Sequence, residues 1–214
     1  MVKNAVVVVD YGVGNLLSVK RGLEFVGANP IISGDPQIIL SASHIVFPGV
    51  GAFNNAMTKL NDLGLVEILK EAVHKGIPLM GICLGMQLLF DESEEFTHTE
   101  GLALISGKVA SIKEKGSKNI YPKVPHIGWA KLNQANAIDW KKTVLKNTDI
   151  GSEMYFVHSF AAQPADQRDC VATCEFGEKS LVAVVEKNNI IGCQFHPEKS
   201  GKLGLKILED FCAL

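Results

Sequence analysis

Near its start the chain carries an unbroken apolar, β-branched run, Val6 to Val9. The run stops at the turn-rich segment Asp10-Tyr11-Gly12-Val13-Gly14-Asn15 and passes into a helical pattern over Leu16 to Val26. This order of strand, loop and helix then recurs. Pro30 to Ser33 predicts a short strand, and Ile45 to Phe47 a buried strand ending at Pro48-Gly49-Val50-Gly51. Leu65 to His74 predicts an amphipathic helix, Pro78 to Cys83 another buried strand, and Met86 to Phe90 a further helix. Strands that are apolar on both faces and alternate with helices call for a mostly parallel sheet covered on each side. In such sheets functional residues collect where the carboxyl ends of strands meet loops.

From about Gly101 the pattern changes. Lys108 to Ile112, Met154 to His158, Cys170 to Glu175, Leu181 to Glu186 and Ile190 to Gln194 are rich in Val, Ile, Thr and Phe and predict antiparallel strands. Gly116-Ser117-Lys118-Asn119 and Lys187-Asn188-Asn189 supply connecting turns, and Lys202 to Cys212 a closing helix. No repeat or low-complexity linker interrupts the chain. Residues 1–214 therefore read as one α/β domain: a mostly parallel central sheet flanked by helices, with an antiparallel β extension in the C-terminal half.

With 214 residues, 47% of them hydrophobic, such a chain buries roughly 70% of the surface it exposes when unfolded, so a sizeable core is available. Lys and Arg number 21 against 23 Asp and Glu, and no basic patch stands out, which argues against a nucleic acid or an anionic membrane as partner. Apolar runs such as Ile82 to Phe90 fall well short of the roughly 20 residues that cross a bilayer. No export signal is visible, and five cysteines without regular spacing fit reduced thiols in the cytoplasm.

The sharpest chemical signal is Gly81-Ile82-Cys83-Leu84-Gly85, set between an apolar strand and a helical pattern. It has the form of a nucleophile elbow with Cys in the place of Ser. Glycines on both sides permit the tight turn, and the N-terminus of a following helix favours a thiolate. Standing alone, the pentapeptide reads first as a buried cysteine between packing glycines. A nucleophilic cysteine needs a base, and Gln194-Phe195-His196-Pro197-Glu198 offers one, with a carboxylate two positions on that an extended segment would project to the same side. Pro48-Gly49-Val50-Gly51, after a neighbouring parallel strand, supplies backbone N–H groups which, with that of Leu84, would make an oxyanion hole. Gly12-Val13-Gly14 lacks the spacing of a dinucleotide or phosphate loop. Cys170 and Cys174 have no second Cys/His pair at zinc-site spacing and read as packing residues. The acidic stretch Asp91 to Glu95 reads as a solvated helix end or loop that brings one carboxylate towards the pocket.

With Pro48-Gly49-Val50-Gly51, Gly81-Ile82-Cys83-Leu84-Gly85-Met86-Gln87 and His196-Pro197-Glu198 in that order, the chain resembles the triad-type glutamine amidotransferase family. Asp10 to Asn15, Pro125-His126-Ile127-Gly128-Trp129, Tyr155-Phe156-Val157-His158-Ser159 and His196 to Ser200 are similar to the glutaminase subunits of imidazole glycerol phosphate synthase. The resemblance runs from the first strand to the last helix and implies a flavodoxin-like, class I amidotransferase fold without cofactor or metal. It implies that Cys83 attacks the side-chain amide of glutamine while His196, oriented by Glu198, passes the proton to departing ammonia. A glutamyl thioester and then glutamate follow, with the oxyanion held at the N–H groups of Val50 and Leu84. It further implies a glutamine pocket lined by Gly49, Gly51, Gln87, Glu95, His158, Ser159 and Phe160.

Ammonia released into water would protonate and diffuse away, so a partner that consumes it is expected. The resemblance makes that partner a (β/α)₈-barrel cyclase, joined as a heterodimer that makes imidazole glycerol phosphate and AICAR in histidine biosynthesis, with Lys199 at the interface. Two positions depart from the family's habit: Ala130 follows Gly128-Trp129 where Asn is usual, and Phe160 stands where Tyr is common. Other readings are a paralogous glutaminase serving another barrel synthase, such as one that aminates a surface sugar, and a cysteine peptidase or redox protein of the same fold. Neither of the last two needs Gln87 or the Pro48 turn.

Overall fold

The computed structural model describes residues 5–113, 123–136 and 138–214. The turn expected at Gly116 to Asn119 lies outside the described residues. The first half of the chain alternates as expected: β1 (Val6–Val9), α1 (Leu16–Phe25), β2 (Pro30–Ser33), α2 (Pro36–Leu40), β3 (His44–Gly49), α3 (Phe53–Asp62), α4 (Leu65–His74), β4 (Leu79–Cys83) and α5 (Leu84–Gln87). The strands β5 (Phe90–Ser93), β6 (Thr99–Glu100), β7 (Ile105–Ser111), β8 (His126–Gln134), β9 (Glu153–His158), β10 (Phe160–Pro164), β11 (Cys170–Phe176), β12 (Lys179–Lys187) and β13 (Ile190–Cys193) follow, before the closing helix α6 (Gly201–Cys212).

Among the described residues nine strands form the main sheet, in the order β2-β1-β3-β4-β13-β12-β11-β8-β9. The five from β2 to β13 are parallel, and the four beyond continue the sheet antiparallel. A second sheet runs β10-β7-β5-β6. Alternation along β1 distributes its side chains to two cores. Val6 and Val8 join Leu23 of α1 and Ile207, Leu208 and Phe211 of α6 on one face. Val7 and Val9 join Ile39 of α2, Leu60 of α3 and Leu69 of α4 on the other. All four residues of β1 are buried, which is why the strand reads as a continuous apolar run.

Three expectations change. The helix expected over Met86 to Phe90 is a single turn, Leu84–Gln87, after which Phe90 opens β5. Met86, Leu88, Leu89 and Phe90 are all buried, so this stretch has no polar face for an amphipathic helix, and Phe90 pairs with Ile105 of β7 instead. The acidic stretch from Asp91 is accordingly not a helix end: its first three residues complete β5, and the Asp91 carboxylate accepts from the Gly107 amide at 2.8 Å. Ile190–Cys193, expected among the antiparallel strands, is antiparallel to β12 yet parallel to β4 on its other edge, and so joins the two halves of the sheet.

Candidate active site

The parallel registers bring three strand ends to one edge of the sheet. Gly49 of β3 stands opposite Cys83 of β4, and Ile82 stands opposite Cys193 of β13. Whatever follows Gly49, Cys83 and Cys193 therefore meets in one place. These are the Val50-Gly51 turn, the Cys83 elbow and the segment carrying His196.

Cys83 itself has φ 55° and ψ −109°. A side-chain-bearing residue held there stores strain of about 1–3 kcal/mol, which is a common property of reactive sites. The glycines around it are required by close approach. A Cβ at Gly85 would run into the Phe47 carbonyl oxygen, and one at Gly81 would stand 2.7 Å from the carbonyl oxygen of Gly85. The elbow can thus pack directly on β3. Because α5 is one turn long, little helix dipole is available to the thiol, and the groups facing the sulfur matter more.

His196 has the extended conformation that its following proline favours, at φ −99° and ψ 96°, and Pro197–Lys199 form a 3₁₀ turn. That turn, not the extended segment expected, brings Glu198 back: its Oε1 lies 2.8 Å from Nδ1 of His196, with the side chains only 1% and 3% exposed. Ser200 fastens the segment to β9. Its hydroxyl donates to the His196 carbonyl at 2.7 Å and accepts from the Tyr155 amide at 2.9 Å, while the His196 amide donates to the Tyr155 carbonyl at 3.0 Å. Burial disfavours the imidazolium, but the interaction with the Cys83 sulfur and the hydrogen bond to Glu198 outweigh it and lift the His196 pKa to about 9.

A cavity of about 380 Å³ opens over these groups. Cys83, His196, Val50, Leu84, Gly51, Gln87, Glu95, His158, Ser159 and Phe160 line it, together with Pro125 and Val157, which the sequence placed in motifs but not in the pocket. Gly49, expected in the lining, is buried and not part of it; Glu198 stands behind His196, and Lys199 is exposed. Gln87 is buried and donates to the Phe160 carbonyl at 2.9 Å and to Oε1 of Gln194 at 3.0 Å. Glu95 accepts from the Phe53 amide at 2.7 Å, holding the first turn of α3 to the rim. The backbone carbonyl of Phe160, and not a side-chain hydroxyl, takes the hydrogen bonds from Gln87 and from Nδ1 of His158, so the phenylalanine leaves both intact. His158 in turn meets Nδ1 of His126 with its Nε2 at 3.1 Å, and burial pushes its pKa down to about 4.

Other candidates separate from this site. Burial raises the thiols of Cys170 and Cys174 to about 11 and about 12, as expected of packing residues, and all five cysteines are free. Among the described residues no cluster of three or more His, Cys, Asp or Glu is placed to hold a metal ion, and no helix is long and apolar enough to cross a membrane. The site thus offers a strained, buried thiol beside a His–Glu pair at the floor of a cavity sized for a small molecule, which are the components of nucleophilic acyl transfer.

Comparison with known proteins converges on the same chemistry. The family of class-I glutamine amidotransferases matches residues 7–213. A protein of Legionella pneumophila (strain Lens), imidazole glycerol phosphate synthase subunit HisH 1, is 43% identical over 209 residues, covering 97% of this chain and 98% of its own. The corresponding HisH subunit of Geobacillus sp. (strain WCH70) is 45% identical over 207 residues, covering 97% and 95%. Among solved structures, a glutamine amidotransferase superposes with a TM-score of 0.72 at 15% identity, over 97% of this chain and 99% of the other. The PurLQS structure from Thermotoga maritima gives 0.68 at 18% identity, over 98% and 97%. At such identities the two structures speak to the fold alone.

Proposed function

The chain belongs to the class-I glutamine amidotransferase family, and from that premise we propose that it hydrolyses glutamine to glutamate and ammonia for imidazole glycerol phosphate synthase, in histidine biosynthesis. The observation that carries the proposal is the His196–Glu198 pair buried beside Cys83 under the cavity. Identities above 40% along nearly the whole of subunits that bear the synthase's name support the assignment to that enzyme.

In the reaction proposed, the Cys83 thiol gives its proton to Nε2 of His196, and the sulfur attacks the side-chain carbonyl carbon of glutamine. The carbonyl oxygen becomes an oxyanion, accepted by the N–H groups of Leu84 and Val50; losing one such donor typically costs about 10²–10³ in rate. His196 returns the proton to the nitrogen as the C–N bond breaks, ammonia leaves, and a glutamyl thioester remains on Cys83. Water then attacks the thioester, His196 takes its proton, and collapse of the second tetrahedral species frees glutamate and restores the thiol. Glu198 keeps Nδ1 protonated and the ring oriented, and it stabilises the imidazolium. Gly49, Gly51, Gln87, Glu95, His158, Ser159 and Phe160 shape the glutamine site around this centre.

The ammonia acceptor is a barrel-fold cyclase that forms a heterodimer with this chain. Exposed apolar side chains support a docking face close to the cavity: Val50 on the oxyanion turn, Phe96 next to Glu95, and Ile127 and Trp129 on the strand that follows Pro125. Lys199 is exposed directly after the triad and has no ion-pair partner among the described residues, which leaves its charge for the cyclase. Glutamate release by the chain alone, and with the cyclase loaded with its ribonucleotide substrate, tests the proposal. Stimulation by the loaded cyclase is expected. A folded chain that the cyclase leaves unchanged would assign it to another synthase.

A further inference from the structure

We propose that Gln194 is a further catalytic residue of this site: its side-chain amide donates to the Cys83 sulfur and stabilises the thiolate, and Gln87 sets the direction of that amide. The inference deepens the reading of Cys83 as nucleophile and rests on it.

The direction follows from a chain of one-way groups. The Phe160 carbonyl can only accept, so the Gln87 side-chain atom 2.9 Å from it is the nitrogen. That nitrogen cannot accept, so the atom of Gln194 facing it at 3.0 Å is the oxygen Oε1. The remaining end of the Gln194 amide is Nε2, and it stands 3.9 Å from Cys83 Sγ. Neither glutamine can turn over without setting a donor against a donor or an acceptor against an acceptor. Gln194 is fully buried, so water does not compete for its amide.

The thiol and thiolate forms use different partners. As a thiol, Cys83 donates to the Val157 carbonyl, 3.8 Å away. Once the proton has left, that carbonyl presents only the negative end of its dipole to the sulfur, while Gln194 gains a charge-assisted hydrogen bond. The titratable groups around the sulfur are His196 with Glu198 behind it on the segment after β13, His158 at the end of β9, Tyr11 after β1 and Glu95 across the cavity. Gln194 contributes a neutral donor that holds its role at every pH.

The test is the pH dependence of Cys83 alkylation by iodoacetamide in the full chain. Gln194→Glu keeps the shape and the acceptor for Gln87 but replaces the donor; Gln194→Met removes the donor without adding charge. Losing one hydrogen bond to a charged group lowers the thiolate population by about tenfold, so both variants should alkylate about tenfold more slowly near neutral pH, Gln194→Glu the more so. An unchanged profile in a folded variant overturns the proposal. Should both variants fail to fold, the side-chain amide resonances of Gln194 in the wild-type chain decide it: they shift when Cys83 is alkylated if the contact exists, and stay put if it does not. Alkylation needs neither glutamine nor partner, so a failure of glutamate release leaves this result separate.

Discussion

Glu198 holds His196 by a 2.8 Å hydrogen bond made out of contact with solvent, at the one ring nitrogen that does not face the thiol. A carboxylate in that place does two things: it fixes the tautomer and it favours the protonated ring. Glu198→Gln should therefore lower kcat for glutaminase by about 10²–10⁴ with KM little changed, as steady-state kinetics of glutamate release would show.

The Cys83 sulfur and this carboxylate together link stability to pH. The folded-state pKa of His196, about 9, lies above its ordinary 6.5, so the folded chain holds this proton more tightly than the unfolded one. The resulting stabilisation is complete below pH 6.5 and is lost as pH rises through about 9. Denaturation midpoints measured from pH 6.5 to 9 should fall more in wild type than in Glu198→Gln.

His158 has the opposite sign. Its ring donates from Nδ1 to the Phe160 carbonyl and accepts at Nε2 from His126, which leaves no site for a second proton, and burial holds its pKa near 4. The unfolded chain takes up that proton near pH 6.5, so stability is complete above 6.5 and is lost as pH falls towards 4. His158→Gln should flatten this acid limb in a thermal melt series, even though it lowers the stability at neutral pH.

Backbone strain at Cys83 predicts a trade between activity and stability. Glycine adopts φ 55° freely. Relief of about 1–3 kcal/mol of strain is opposed by the about 0.5–1 kcal/mol of entropy that glycine adds to the unfolded chain and by the lost burial of the thiol. Cys83→Gly should thus be inactive yet destabilised less in urea than the same change at a buried cysteine without strain, such as Cys174→Gly.

Gly85→Ala should add strain instead, since its Cβ would collide with the Phe47 carbonyl, part of the backbone of β3 that cannot yield. A loss of at least about 1–3 kcal/mol is expected, read as a lower denaturation midpoint.

The parallel half of the fold was legible because Val6–Val9, His44–Gly49 and Leu79–Cys83 are buried on both faces and bounded by turn residues. α3 was not: Asn54, Asn55, Thr58, Lys59, Asn61 and Asp62 dilute its apolar positions to one narrow stripe of Phe53, Ala56, Met57 and Leu60. β8 was hidden because most of its residues are exposed or half-buried and Gly128 interrupts the alternation. The cysteine, the histidine and the glycine turn carry local signatures. Gln194 carries none, since what distinguishes it is contact with Gln87 and Cys83, 107 and 111 positions away, created by the parallel pairing of β13 with β4. A signal was available only in its place, two residues before the candidate base.

The most direct test is mass analysis of the chain quenched in acid during turnover of glutamine in the presence of the cyclase proposed as its partner. A single glutamyl group on the peptide containing Cys83, accumulating when hydrolysis is slowed and missing from Cys83→Ala, is the predicted result. Turnover without any acyl group on Cys83, or glutamate release that survives in Cys83→Ala, would contradict the account.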